Sequence, residues 1–484
     1  MKQCKLTIND EVTCKITGLE LSDRKALMKK FEYEDPTARF RPAYKLGRWN
    51  GKISFFSLSG STYINLLDQI IPLLDNAGYD IELEDNRDYN TTFSFTPITD
   101  STFSAHKWPK GHPLEGEPIM LRDYQVKIIN DFLTNPQSIT EAATGSGKTI
   151  TTAALSYSVQ NYGRSIVIVP NKSLVVQTES DYKNVGLDVG VYFGDRKEIG
   201  KKHTICTWQS LNNMMKKTKN HEAEIPIDEF IQDVVCVIVD EVHQAKADGL
   251  KALMTTVFNK VPIRWGLTGT IPKAKHESQS IFVSIGPVIG KLTASELQDK
   301  GVLAQCHVNI VQLQDTVEFS NYQSELKHLL EDKNRLDTIA ELILKIKETG
   351  NTLILVDRVN AGKELINRLP DSVFISGETN LTDRKEEYDE VATSDDKIIV
   401  ATYGVAAVGI NIPRIFNLVL IEPGKSFVRV IQSIGRGIRK AQDKDSVMIW
   451  DITSSCKFAK KHLTQRKNFY KEASYPFSIE KLKY

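Results

Sequence analysis

Two rhythms of apolar residues run along this chain, and they predict different architectures for its beginning and its remainder. Near the amino terminus apolar and polar residues alternate over 5–8 and 13–16, the period of half-buried strands. Residues 21–31 and 64–77 carry apolar positions at helical spacing, the second stretch despite Pro72. A small α+β domain fits these four elements. Farther on, short uninterrupted apolar runs recur at 165–169, 204–207, 234–239 and 265–268, with helically patterned stretches between them. Strands apolar on both faces are covered on both sides, so this part predicts a parallel sheet wrapped by helices. A second set of runs at 352–356, 372–375, 397–402, 417–421 and 446–450 predicts another such sheet, preceded by one long helical region over 321–349. Residues 96–118 lose periodicity and are rich in turn-forming types, which reads as a linker. The expected division is a small domain at 1–95, a linker at 96–118 and α/β domains at 119–295 and 296–484.

Composition adds little until it is taken locally. Lys and Arg number 62 against 61 Asp and Glu, so the net charge of +1 says nothing about a polyanionic partner. The balance hides a polarised amino terminus: residues 1–60 hold twelve basic and seven acidic side chains, residues 61–100 one and eight. The tail over 440–484 holds ten basic and five acidic side chains interleaved with aromatics, equally readable as a nucleic-acid contact or a packed helix with a basic outer face. Cys4, Cys14, Cys206, Cys236, Cys306 and Cys456 form no C-x-x-C pair and read as reduced thiols of a cytosolic protein. No apolar run approaches the roughly twenty residues that span a bilayer, so no membrane partner is expected.

The chemistry begins at Ala142-Ala143-Thr144-Gly145-Ser146-Gly147-Lys148-Thr149, where an apolar run enters a small-residue loop and then a helical stretch. Such a loop turns backbone N–H groups inward around phosphates. Lys148 then reaches the terminal phosphates of ATP, and Thr149 offers its hydroxyl to Mg²⁺. The following helix points its positive end at the same anion. Ala142 stands where the usual spacing has glycine. The apolar run 235–239 ends in Asp240-Glu241-Val242-His243. An Asp at that strand end can hold Mg²⁺, and the adjacent Glu241 can orient and deprotonate an attacking water. Between the first helices lies Arg39-Phe40-Arg41-Pro42-Ala43-Tyr44-Lys45-Leu46-Gly47-Arg48-Trp49-Asn50-Gly51-Lys52. Its cations (Arg39, Arg41, Lys45, Arg48, Lys52) can pair with phosphates, and its three aromatics, Phe40, Tyr44 and Trp49, can stack on unpaired bases or wedge at a junction. The alternative is a hairpin with aromatics packed inward and charges merely solvated.

These stretches resemble motifs of the superfamily 2 DExH helicases: the phosphate loop, Asp240-Glu241-Val242-His243 and Leu267-Thr268-Gly269-Thr270 look like motifs I, II and III. The resemblance implies a fold of two RecA-like parallel-sheet domains in tandem, here preceded by the small α+β domain. It also implies adenine recognition by Arg122 and Gln125, with Thr144, Gly145, Ser146 and Gly147 around the phosphates. His243, Thr268 and Thr270 would couple nucleotide to nucleic acid. Asn171, Lys172, Thr207 and Gln209 stand at strand-contacting motifs Ia and Ic, and Thr402 and Gly409 in motif V, where Asn411 replaces the usual Asp. Gln432, Arg436 and Arg439 share a helix face in motif VI, whose arginines reach the γ-phosphate. The amino-terminal aromatic–cation stretch is similar to that of phage UvsW-type helicases. That similarity implies ATP-dependent remodelling of branched DNA or R-loops in recombination, repair and replication, in the cytoplasm of a bacterial host. A restriction-type translocase, an RNA helicase and an ATP-hydrolysing binding switch are the alternatives.

Overall fold

The computed structural model describes residues 2–88, 92–110, 114–243, 248–303, 305–377, 379, 390–391, 394–405, 414–424, 446–472 and 475–484. They divide into two compact units, Met1–Ala142 with Gly147–Lys291, and Ala143–Ser146 with Leu292–Tyr484.

The first unit opens with strands β1 (Lys2–Ile8) and β2 (Thr13–Thr17), then the pair β3 (Glu32–Glu34) and β4 (Lys52–Ser54), then β5 (Ser61–Tyr63) and β6 (Tyr79–Asp85). A four-stranded sheet runs β5-β2-β1-β6, with β3 and β4 forming a separate antiparallel ribbon. The helices Leu21–Lys30 and Leu67–Asn76 cover it; the second keeps Pro72 inside, after a 3-10 turn over Ile64–Leu66. Cys4, Leu6, Cys14, Ile16, Phe31, Phe56 and Ile70 fill its core, and Val283 from far along the chain joins them. That intrusion is the first sign that the small domain is fastened to the larger α/β sheet of the same unit.

Next come β7 (Gln137–Ala142), β8 (Arg164–Val169), β9 (Val189–Phe193), β10 (Arg196–Lys197), β11 (His203–Thr207), β12 (Val234–Asp240), β13 (Ile263–Thr268) and β14 (Val288–Leu292). They form one sheet in the order β10-β9-β11-β8-β12-β13-β7-β14, parallel from β9 through β7. The apolar runs at 165–169, 204–207, 234–239 and 265–268 are its central strands. Residues 96–118 hold no helix or strand among the described residues, yet they are a strap packed on the helices of this unit, Phe103 meeting Tyr157 edge-on, and not a loose tether. Ile98 and Phe103 are buried, as is Ile119 just beyond them, and Asn130 clamps both backbone groups of Ile98 at 2.8 and 2.9 Å.

The second unit is built on β15 (Gln305–Leu313), β16 (Thr352–Val356), β17 (Ser372–Ile375), β18 (Ile398–Thr402), β19 (Asn417–Ile421), β20 (Ser446–Ser454) and β21 (Phe477–Leu482). All pair in parallel in the order β17-β18-β16-β19-β20-β15-β21. The helical region over 321–349 is two helices, Tyr322–Glu331 and Lys333–Lys347. The break has a local cause: Asp332 takes an extended backbone and its carboxylate accepts the Arg335 N–H at 2.9 Å, capping the second helix.

Five charged groups are buried at the carboxyl ends of this sheet: Asp315, Arg335, Glu422, Asp451 and Arg466. Arg466 pairs with Asp451 at 2.8 and 2.9 Å, and Arg335 donates to Glu422 at 2.6 Å. Three carboxyls share two guanidiniums, so one proton would neutralise the cluster. Burial pushes Glu422 up to about 7; Arg335 and Arg466 pull against that rise and Asp315 and Asp451 add to it. A carboxyl raised in the folded state stabilises while protonated and loses that contribution as pH rises from its unfolded value through about 7. Unfolding curves of the wild type should therefore show about 3 kcal/mol lost between pH 4.5 and 8, by the size of the shift. Glu422→Gln should lack this loss, so its profile should be shallower than the wild type's by about 3 kcal/mol over the same range, with the slope from other raised carboxyls such as Asp240 remaining. Equal slopes in both proteins would place the proton elsewhere.

Candidate nucleotide site and nucleic-acid interface

Parallel strands bring their carboxyl ends to one edge, where ligands of such sheets bind. On the first sheet β7, β13, β12, β8 and β11 lie side by side, so the segments that continue from them are neighbours there. The loop after β7 leads into the helix Lys148–Val159. Gly145 and Gly147 adopt φ of +90° and +80°, the left-handed region that glycine enters without the steric cost of a side chain. A Cβ on Gly147 would lie 2.4 Å from Nε2 of Gln125, so the glutamine amide sits against the loop. Gln125 is buried; its Oε1 accepts the Arg122 N–H at 2.9 Å, and Arg122 also reaches the Tyr124 hydroxyl at 3.0 Å. Gln125, distant from the loop in sequence, is thus beside it in space.

Opposite Lys148 stands the end of β12. The Lys148 Nζ lies 3.3 Å from Oε1 of Glu241 and 3.4 Å from the Ala142 carbonyl. Glu241 holds φ of +57°, an uncommon left-handed backbone for a residue with a side chain. Its other oxygen is 3.3 Å from Nδ1 of His243, and the same Nδ1 is 3.0 Å from the Thr268 hydroxyl. Thr268 gives its one proton to the Thr270 carbonyl at 2.9 Å and accepts the Thr270 N–H at 3.3 Å. Its oxygen must therefore accept from the imidazole, which assigns a proton to Nδ1. Lys148, Glu241, His243, Thr268 and Thr270 form one continuous polar chain joining three motifs.

Electrostatics separates the two acids. Burial would push the Glu241 carboxyl up, but the Lys148 ammonium and His243 outweigh it and hold the group well below the usual carboxylate range. At Asp240 burial first, then the Glu241 charge, outweigh the pull of the same Lys148 and His243 and push the carboxyl up to about 6. A divalent cation would relieve that carboxyl, so Asp240 suits Mg²⁺ chemistry, with the Thr149 hydroxyl beside Lys148 in the sequence as the other protein ligand. Magnesium there would neutralise charge on the phosphates.

Asn171 and Thr207 have local tasks. Each caps the helix next after its strand: Asn171 accepts the Leu174 N–H at 3.0 Å and Thr207 the Ser210 N–H at 3.3 Å. The capped helices start at adjacent strands β8 and β11, with Lys172 and Gln209 exposed beside them. Two helix N-termini at one sheet edge suit a phosphate backbone. Thr402 is half-buried at the end of β18 in the second unit. Gly409, Asn411, Gln432, Arg436 and Arg439 lie outside the described residues.

The aromatic–cation stretch is helical where a simple hairpin was the alternative: Ala38–Phe40 and Pro42–Lys45 make short helical turns between β3 and β4. Arg41 is paired with buried Asp35 at 3.1 Å, and Lys52 with Glu32 at 2.8 Å. Trp49 is half-buried, donates to the Lys52 carbonyl at 2.8 Å and meets Tyr44 edge-on. These three residues hold the excursion together. Arg39, Lys45 and Arg48 are exposed, with no acidic partner among the described residues. Phe40 and Leu46 are 66% and 65% exposed and Tyr44 43%, a large apolar display on a small element. The sequence reading singles out the aromatics and passes over Leu46; an apolar side chain flanked by cations is the signal that could have marked it.

Residues 118–273 match the family described as "Type III restriction enzyme, res subunit", and residues 334–441 match "Helicase conserved C-terminal domain". The ATP-dependent DNA helicase uvsW of Enterobacteria phage T4 is 25% identical over 472 residues, covering 91% of this chain and 88% of its own. A DNA 3'-5' helicase XPB of Kineococcus radiotolerans is 24% identical over 372 residues, covering 74% and 64%. A fragment of a putative HsdR subunit of a type I restriction enzyme from Vibrio vulnificus superposes with a TM-score of 0.57 at 15% identity, covering 97% of this chain and 85% of that one. At that identity the last likeness shows the fold alone.

Proposed function

This chain is an ATP-dependent helicase of superfamily 2, similar to the UvsW type, and from that premise we propose that it remodels branched DNA. The substrates would be Holliday junctions, regressed forks, D-loops and R-loops. One observation carries the reading: the exposed excursion 38–51, with unpaired cations around Phe40, Tyr44 and Leu46, belongs to a small domain fastened to the nucleotide-binding sheet. Asn65 Nδ2 donates to the Phe282 carbonyl at 3.1 Å, and Gln137 Nε2 to the Glu11 carbonyl at 2.9 Å. An aromatic wedge on that body would engage the bases at a branch while the sheet edges grip backbone. In the same reading Glu241 activates water, Lys148, Thr149 and Asp240 hold Mg²⁺-ATP, and Arg436 and Arg439 stabilise the transferring phosphoryl group.

Strand displacement on a four-way junction, an R-loop and a tailed duplex tests it. The wild type should act on the branched substrates. Combined replacement of Phe40 and Tyr44 by Ala should slow it on them about 10- to 100-fold, the worth of one or two lost stacking contacts. Activity on the tailed duplex should change much less. Equal loss on every substrate would make the excursion a structural element. Stimulation by RNA alone, or hydrolysis without displacement, would favour an RNA helicase or a binding switch.

A further inference from the structure

The last helix, Lys457–Glu472, has two unlike faces. Ala459, His462, Leu463, Arg466, Phe469 and Tyr470 are buried against the second unit. Outward it presents Lys457, Lys460, Lys461, Gln465, Asn468 and Lys471, all exposed. None of these lysines has an acidic partner among the described residues. The helix Lys333–Lys347 is different, since its exposed positions mix lysines with Asp337 and Glu341.

Placement adds an independent argument. Helix N-termini favour acids and disfavour cations, yet Lys457, Lys460 and Lys461 crowd the first turns. The helix compensates internally: Glu325 accepts the Phe458 and Ala459 N–H groups at 3.1 and 2.7 Å. Three lysines set against the local dipole gain no ion pair there from the described residues; Lys457 lies over the Phe458 ring at 5.9 Å. They begin three residues after β20 ends at Ser454, at the carboxyl edge of the sheet that also carries Thr402. From Lys457 to Lys471 the stripe is about 21 Å long, a little over half of the roughly 34 Å turn of a duplex. Gln465 and Asn468 add amide donors between the charges, the types that contact phosphate and sugar.

We infer that this face is a second nucleic-acid contact, binding the phosphate backbone of duplex DNA without reading its sequence. The inference rests on the proposed action on DNA. It predicts a change in salt dependence, because each phosphate contact adds about 0.9 to the slope of log affinity against log salt. The test is binding of the full chain to a labelled, unbranched duplex over a salt series. Replacing Lys457, Lys460, Lys461 and Lys471 by Ala should flatten the slope by about 3 to 4. Replacing the same four by Arg should restore it, which separates lost contacts from misfolding. Lys333→Ala with Lys345→Ala, two exposed lysines elsewhere on the second unit, should leave the slope as it was. An unchanged slope in the four-alanine variant would overturn this contact and leave branched-DNA remodelling standing. A slope flattened equally by the Lys333 and Lys345 pair would also overturn it, as a general charge effect. A wild type that binds no DNA at all would overturn both readings.

Discussion

Glu241→Gln should lower ATP turnover at least about 100-fold, the low end of what a positioned general base contributes, while leaving ATP affinity within a few-fold of the wild type. Gln keeps the size of the side chain and an oxygen that can accept from Lys148. What it loses is the ability to take a proton from water. The two tasks open to Glu241 predict opposite outcomes. A group that merely anchored Lys148, 3.3 Å away, would when neutralised free the lysine and change nucleotide binding more than turnover. A base would change turnover alone. Steady-state hydrolysis and equilibrium binding of a fluorescent nucleotide, measured together, separate them. Lys148→Ala is the reference, since it should weaken binding as well. If Glu241→Gln hydrolyses ATP within tenfold of the wild type, the base lies elsewhere and the polar chain to His243 and Thr268 is scaffolding.

That site is legible in the sequence because its parts are short, contiguous and placed after strands that are buried on both faces. Val237, Ile238 and Val239 are fully buried, so the strand announces itself as an apolar run and its end is easy to place. Edge strands give no such signal. β10 is Arg196–Lys197 and β21 mixes Glu480 and Lys481 with its apolar residues, because half of an edge strand faces water. β14 lies just before the expected domain boundary at 295 and is not among the expected apolar runs, although it pairs beside β7 at the end of the first sheet. Nor does spacing show which cations are free. Arg41 and Arg39 look alike in the chain, but only the fold brings Asp35 to Arg41. The same holds for the capping tasks of Asn171 and Thr207, which depend on the helices that begin beside them.

Arg264→Met should destabilise the first unit by about 3 to 5 kcal/mol, the usual cost of removing one partner from a buried charged network. At the few degrees per kcal/mol expected for a body of this size, the unfolding midpoint should fall by about 10 °C. In the sequence Arg264 interrupts an apolar run, so the expected strand begins only at 265; in the structure β13 starts at Ile263 and carries the guanidinium fully buried. Arg264 donates to the Ser284 carbonyl at 2.6 and 3.1 Å and to the carbonyls of Phe258 and Met254. The Ser284 and Phe258 carbonyls lie at the ends of the helix Lys275–Ser284 and of the helical turn Leu253–Val257, where partial negative charge accumulates, and Met254 lies within that turn. Burial pushes the Arg264 pKa down to about 10, opposed by Glu11 and Asp10 of the β1–β2 turn. That turn is itself fixed here, with the Glu11 N–H on the Asn259 carbonyl at 2.8 Å and Asp10 accepting from Asn259 at 2.9 Å. One guanidinium thus serves three carbonyls and draws the small domain onto the strand that ends in Thr268. Arg264→Lys should recover less than half of the loss, because an ammonium cannot span three acceptors in a plane. Glu11→Gln in the Arg264→Met background should cost less than it does alone, by roughly 1 kcal/mol of coupling, since the carboxylate has then already lost one of its two cations and keeps only Arg87 at 3.3 Å. Additive losses in that cycle would mean that the acidic turn and the buried arginine act independently, and that the bonds through Asn259, Gln137 and Asn65, with the packing of Val283, hold the excursion-bearing domain to the sheet.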